Sequence, residues 1–149
     1  MALKSDWQTG EQFTADDANA VADAVNHTPF DLTVVQFADK TTRATGVGDL
    51  SAGVCLQRDM IVRSVRYRFV TPDASGSTTV ELRVNGVAVS GTSLSVAAAD
   101  QGSGGGVARE VSGLSVQVAR GDVLTAHIVS TGTTPGKGLY VDVEGTTDA

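Results

Sequence analysis

The chain has 149 residues, 17 of them glycine, with aromatic residues at 5% and a formal net charge of −6. That length suits one domain with a single core plus an appendage, and the glycine-rich, aromatic-poor composition favours short strands and tight turns over a helical bundle. The charge is concentrated in residues 1–50, which carry three basic and eight acidic side chains against eight and nine in the rest, so nothing in the composition draws the chain to nucleic acid.

Residues 1–30 read as an N-terminal arm and helix. No basic region followed by an apolar run opens the chain, and no window approaches the roughly 20 apolar residues of a membrane span. The expectation is a soluble protein made in a cytosol. Trp7 and Phe13, in the segment just upstream of the helix, are its large apolar anchors. Thr14 suits an N-cap, and Asp16 and Asp17 sit where the helix dipole favours negative charge. Ala18, Val21, Ala22 and Val25 recur at i, i+3, i+4 and i+7 and form one narrow apolar stripe. Thr28-Pro29 ends the helix, because proline cannot continue it and restricts the residue before it. So small a stripe needs a partner surface: its own β domain, another copy or a larger assembly. Trp7, Phe13, Ala18, Val21, Ala22 and Val25 are therefore the predicted attachment or oligomer interface.

Residues 31–149 read as a β domain. Leu32 to Phe37 predicts a first strand, residues 38–50 a loop, and Val54-Cys55-Leu56 a short strand with Cys55 as a small buried hydrophobe. As the only cysteine, Cys55 excludes an intrachain disulfide, and an intermolecular one is the minor alternative. Ile61 to Val70 alternates with period two, Val65, Tyr67 and Phe69 on one face and Ser64, Arg66 and Arg68 on the other. Val80, Leu82 and Val84 form the next strand, and Asn85-Gly86 predicts a type I′ hairpin turn into Val87 and Val89. Thr92 to Ala98 is a further strand, followed by Gln101 to Gly106, a side-chain-poor mobile loop. Leu114 to Val118, Val123 to Val129 and Leu139 to Val143 complete the strands, and Gly145 to Ala149 reads as a frayed tail. About eight strands at this spacing imply an antiparallel β-sandwich of jelly-roll type.

Little in the pattern points to catalysis. His27, His127 and Cys55 are too few for a convincing metal site, no acid and base pair is visible, and no nucleophile elbow occurs. The Gln101–Gly106 loop lacks the phosphate-loop lysine, and Arg120-Gly121-Asp122 has the residue types of an ordinary turn. No cofactor is expected. Arg66, Arg68 and Arg83 cluster if their strands are neighbours. They then form either a solvated sheet face that discourages edge pairing or a patch for the acidic helix residues Asp16, Asp17 and Asp23. The first reading is favoured, since exposed ion pairs contribute only about 0–1 kcal/mol each.

The segment Trp7-x2-Gly10-Glu11-x-Phe13-Thr14-Ala15-x3-Asn19 resembles the opening of many tail and other virion proteins of phages that infect actinobacteria. Arg66-Tyr67-Arg68-Phe69, Val84-Asn85-Gly86-Val87 and Gly121-Asp122-Val123-Leu124 are similar to stretches of small jelly-roll modules in such virions. Many tail proteins continue into fibrous or enzymatic regions, whereas this chain spans one compact module. The resemblance implies a non-enzymatic virion protein, a minor tail or capsid decoration protein. Its partners would be other virion proteins and copies of itself, a trimer among the options. A carbohydrate-binding module for a host-surface glycan is the alternative, with Tyr140 the one obvious surface aromatic. A hydrolase comes third.

Overall fold

The structure, a computed structural model, describes residues 27–148. Among them run ten strands: β1 (His27–Thr42), β2 (Val54–Cys55), β3 (Met60–Phe69), β4 (Ser77–Val84), β5 (Val87–Ala88), β6 (Leu94–Ala97), β7 (Glu110–Val111), β8 (Val116–Val118), β9 (Val123–Ser130) and β10 (Lys137–Asp148). They form two antiparallel five-stranded sheets. Sheet 1 has the order β1-β10-β3, with β8 and β7 one after the other along the far edge of β3. Sheet 2 has the order β2-β9-β4, with β5 and β6 both on β4. The strand not foreseen in the sequence is two-residue β7, which shares the far edge of β3 with β8.

One core joins the sheets. Val34, Val65, Tyr67, Phe69, Leu139 and Val141 point inward from sheet 1 to meet Val80, Leu82, Leu124, Ala126 and Ile128 of sheet 2. The predicted alternation of β3 holds from Ser64 to Phe69. Before that its parity reverses, since Met60 and Val62 are also buried. The extra residue is Arg63: Glu144 pairs with Ser64 and Gly145 with Val62, a bulge that moves the inward set from even to odd positions. Gly145 is required opposite this bulge, because a Cβ there would lie 2.1 Å from the Ile61 carbonyl oxygen. The expected frayed tail is thus corrected. Residues 145–148 continue β10 and pair with both neighbouring strands.

The first strand is also longer than the sequence suggests. It starts at His27, ahead of Pro29, and runs through residues 38–42, which were expected to be loop. A second bulge, at Gln36, lets both Gln36 and Phe37 turn inward. The Gln36 side chain then finishes the edge of sheet 2 beyond two-residue β2. Its Oε1 accepts from the Ala126 amide at 2.9 Å, and its Nε2 donates to the Leu50 and Val47 carbonyls. The Asn85-Gly86 turn has φ of 51° and 81° and adopts the expected type I′ geometry. The Tyr67 hydroxyl donates to the Thr92 carbonyl at 2.6 Å, and its burial pushes the phenol pKa up.

A buried polar cluster closes one end of the two sheets. Arg43 Nη1 donates to the Lys137 and Gly138 carbonyls, both at 2.8 Å, and Nη2 donates to Asp73 Oδ1 and Gln101 Oε1, both at 3.0 Å. The guanidinium carbon lies 4.8 Å from the centre of the Phe69 ring. Asp73 in turn accepts from the Gly136 amide at 2.9 Å, Thr78 Oγ1 at 2.5 Å and Gln101 Nε2 at 2.8 Å. Both charged side chains are fully shielded from solvent. Gln101, placed by its sequence in a mobile loop, is buried. That loop is tethered, with the Gly102 carbonyl accepting from Phe69 at 2.8 Å and the Gly104 carbonyl from Arg109 Nη2 at 2.7 Å.

Removing one member of such a pair strands the other charge in a dry site. Arg43→Ala should cost about 3–5 kcal/mol of unfolding free energy, measured by chemical denaturation. A loss below about 1 kcal/mol would assign the pair no structural role. Burial pushes the Asp73 carboxyl up, but hydrogen bonds from Thr78, Gln101, the Gly136 amide and Arg43 outweigh it and bring the pKa down to about 2. A carboxylate held low stabilises the fold above its unfolded pKa and loses that contribution as pH falls through its folded one. Stability should therefore drop by roughly 2 kcal/mol between about pH 4 and pH 2, and denaturation of Asp73→Asn should lack this step.

Candidate functional site

The outer face of sheet 1 carries the densest set of charged side chains in the described residues, and strand register places them. Thr33 of β1, Asp142 of β10, Arg66 of β3 and Glu110 of β7 stand opposite one another across four strands. One row along, Asp31, Glu144 and Ser64 align, and on the other side Val35, Tyr140 and Arg68. Arg68 grips Asp142 with two bonds, Nε to Oδ2 at 2.5 Å and Nη2 to Oδ1 at 3.2 Å, and Thr33 Oγ1 donates to Oδ1 at 2.7 Å. Arg66 Nη2 donates to Glu110 Oε2 at 2.8 Å, and Ser64 Oγ to Glu144 Oε2 at 2.8 Å.

Tyr140 is held from two sides. Its hydroxyl donates to the Asp39 carboxylate, which pushes the phenol pKa up. The Arg68 guanidinium carbon lies 5.1 Å from its ring centre. Beside it, Asp39, Arg68, Val70 and Ser103 help line a hollow of about 320 Å³. A second hollow of about 430 Å³ lies over Asp31, Thr33, Arg66, Glu110, Asp142 and Glu144. Asp31 stands directly across from Glu144, a like-charge pair that opposes pairing there. The face thus holds the carboxylates of Asp31, Asp39, Glu110, Asp142 and Glu144 against two arginines, and each arginine is already bound to one of them.

This arrangement corrects the arginine cluster expected from the sequence. Arg66 and Arg68 are neighbours on β3, but Arg83 is on β4 in the other sheet, where it bonds Glu81 of its own strand at 2.7 Å. An acidic segment reaching Arg66 or Arg68 would have to displace Glu110 or Asp142. Cys55 is likewise corrected: it is exposed on β2 rather than buried. Two-residue β2 runs along the edge of sheet 2, where the alternation buries the next residue, Leu56, instead. Trp7, Phe13, Asp16, Asp17, Ala18, Val21, Ala22, Asp23 and Val25 lie outside the described residues.

The remaining chemical candidates resolve locally. Asp122 of Arg120-Gly121-Asp122 accepts from the Ala119 amide at 2.9 Å and from Asn85 Nδ2 at 3.0 Å, which holds its pKa below the usual carboxylate value. It is a turn, as expected, and it pins the β4–β5 hairpin to the start of β9. His127, opposite Glu81 on β9, is held below its ordinary pKa by burial and then by Arg83. Among the described residues, no group of three or more His, Cys, Asp or Glu side chains is placed to hold a metal ion. Glu110, Asp142 and Asp39 had no sequence signal, since their partners are 44, 74 and 101 residues away.

No family model, curated protein or solved structure matches this chain.

A double-mutant cycle on Arg68→Ala and Asp142→Ala should give a coupling of about 0.5–1 kcal/mol, read by denaturation at low salt. The pair is only partly shielded, so the coupling should shrink at 1 M salt. A coupling near zero at low salt would remove the pair as an organiser of this face.

Proposed function

We propose that this chain is a non-enzymatic structural module of a tailed-phage virion, a minor tail or capsid decoration protein attached through its N-terminal arm. The observation that carries the reading is the strand order. Sheets wired β1-β10-β3-β7/β8 and β2-β9-β4-β5/β6 match a jelly roll once each broken pass is counted as one strand, and jelly rolls build viral capsid and lectin domains. The N-terminal segment supports the first of those uses. It resembles virion-protein openings from Trp7 to Asn19, and it joins the β domain at His27, the first residue of an edge strand.

In this reading Trp7 and Phe13 anchor the arm in an apolar pocket of the virion or of a sister subunit. The stripe of Ala18, Val21, Ala22 and Val25 docks beside them, and the two-sheet domain projects outward. Burying two aromatic side chains contributes several kcal/mol at roughly 25 cal/mol per Å², and repeated arms around a symmetry axis add avidity. Trp7→Ala should abolish incorporation into virions while circular dichroism and thermal unfolding of the β domain stay unchanged. Incorporation at the wild-type level would overturn the reading.

A host-glycan module is the second reading, favoured by the Tyr140 hollow with its aromatic ring, carboxylate, guanidinium and hydroxyl. Binding on a glycan array that Tyr140→Ala removes would establish it over the first, and an array without signal would dismiss it.

A further inference from the structure

The free edge of β1 differs from every other edge of the two sheets. Sheet 2 ends in β2, β5 and β6, and sheet 1 ends on its far side in β7 and β8, all four residues long or shorter. Short strands leave little for a foreign strand to pair with. At 16 residues, β1 is the exception.

The register shows which backbone groups its edge presents. In an antiparallel strand, the N–H and C=O of one residue face one neighbour and those of the next residue face the other. The Phe69 amide donates to Gly102, on the side of β3 away from β10. Arg68, Arg66 and Ser64 therefore face β10, where they pair with Tyr140, Asp142 and Glu144. Leu139, Val141 and Val143 then face β1, and Val34 and Leu32 face back to Val141 and Val143. The backbones of Asp31, Thr33 and Val35 point outward.

Two independent observations agree. Past the bulge at Gln36 the same alternation sends the Ala38 N–H outward, and there it donates to the Asp49 carboxylate at 3.1 Å. Pro29, which has no N–H to give, also falls on an outward position, the placement a strand proline requires. Among the described residues, no acceptor meets the amides of Asp31, Thr33 and Val35, and no donor meets their carbonyls.

We propose that the edge from Asp31 to Val35 pairs with the same edge of a second copy, antiparallel about a two-fold axis, so that sheet 1 runs on through both molecules. The window is self-complementary. Placing Thr33 against the partner's Thr33 sets Asp31 against the partner's Val35 and keeps the two Asp31 carboxylates apart. Leu32, half-buried at the rim of the core, comes beside the partner's Val34 and extends the apolar layer. Pro29 ends the ladder on one side. On the other, the loop held by Gln36 and Asp49 covers the edge.

Chain direction favours the same arrangement. The 26 residues before His27 carry five carboxylates and one lysine, and antiparallel pairing sends the two acidic arms off opposite ends of the ladder. The inference stands on the strand edge alone and does not rest on the virion reading. A ladder this short covers less than the roughly 1,200 Å² of a stable specific interface, so the dimer should dissociate on dilution.

Sedimentation equilibrium of the full chain over a concentration series should show a monomer–dimer equilibrium. Hydrogen exchange should slow at the Asp31, Thr33 and Val35 amides as the dimer populates. Thr33→Pro removes an outward N–H that the fold does not use, and should leave a folded monomer at every concentration. Thr33→Lys sets two ammonium groups across the axis. It should weaken dimerisation at least tenfold at low salt, with partial recovery at high salt, and it decides the matter if Thr33→Pro does not fold. A wild-type protein that stays monomeric or forms a trimer would overturn the proposal. So would a dimer that Thr33→Lys leaves intact.

Discussion

The Arg43–Asp73 ion pair is the constraint on which the two sheets' mutual placement depends. Moving two full charges out of water costs several kcal/mol each, so the pair persists only because its surroundings replace the water. Two backbone carbonyls, a glutamine oxygen and the face of Phe69 take up the guanidinium, while an amide, a hydroxyl and a glutamine nitrogen take up the carboxylate. These partners come from the end of β1, the turn after β3, the start of β4, the loop after β6 and the approach to β10. Any other packing of those segments would leave charges unsatisfied. A core built largely of valine and leucine could tolerate small slippages; the cluster does not.

Side chains also cover part of the sheet edges. Gln36 covers the exposed side of β9 where β2 runs out, and Asp49 caps the β1 amide just past the bulge. Both bulges sit where the inward-facing parity of the sequence changes, and each keeps the apolar set on the core side of its strand. Covering stops at Gln36, and the stretch of β1 before it has open backbone groups. That stretch is continuous with the acidic N-terminal segment, so the part of the domain best able to add a strand is also the part nearest the proposed attachment arm.

The outer face of sheet 1 shows how internal pairing changes the meaning of a charged patch. Read as a string, Arg66 and Arg68 look like a cationic stripe. In the sheet they are consumed by Glu110 and Asp142, and the face they belong to is acidic. On the same face Tyr140 is shared between Arg68 and Asp39.

Local chemistry was legible from residue order alone: the alternation of β3, the Asn85-Gly86 hairpin, the Arg120-Gly121-Asp122 turn and the mainly β character all depend on neighbours within a few positions. Period-two patterning and turn residues act over that range, so sequence by itself determined them. Strand ends were less legible. Pro29 and the 38–42 stretch look like breaks, and only the outward-facing edge and the bulge at Gln36 explain why β1 runs through them. The partition of strands between sheets, which separates Arg83 from Arg66 and Arg68, was decided by tertiary structure alone. So were the burial of Arg43, Asp73 and Gln101 and the exposure of Cys55. Each turns on contacts between residues distant in sequence, and a polar residue in a turn carries no local mark of the partner that will bury it.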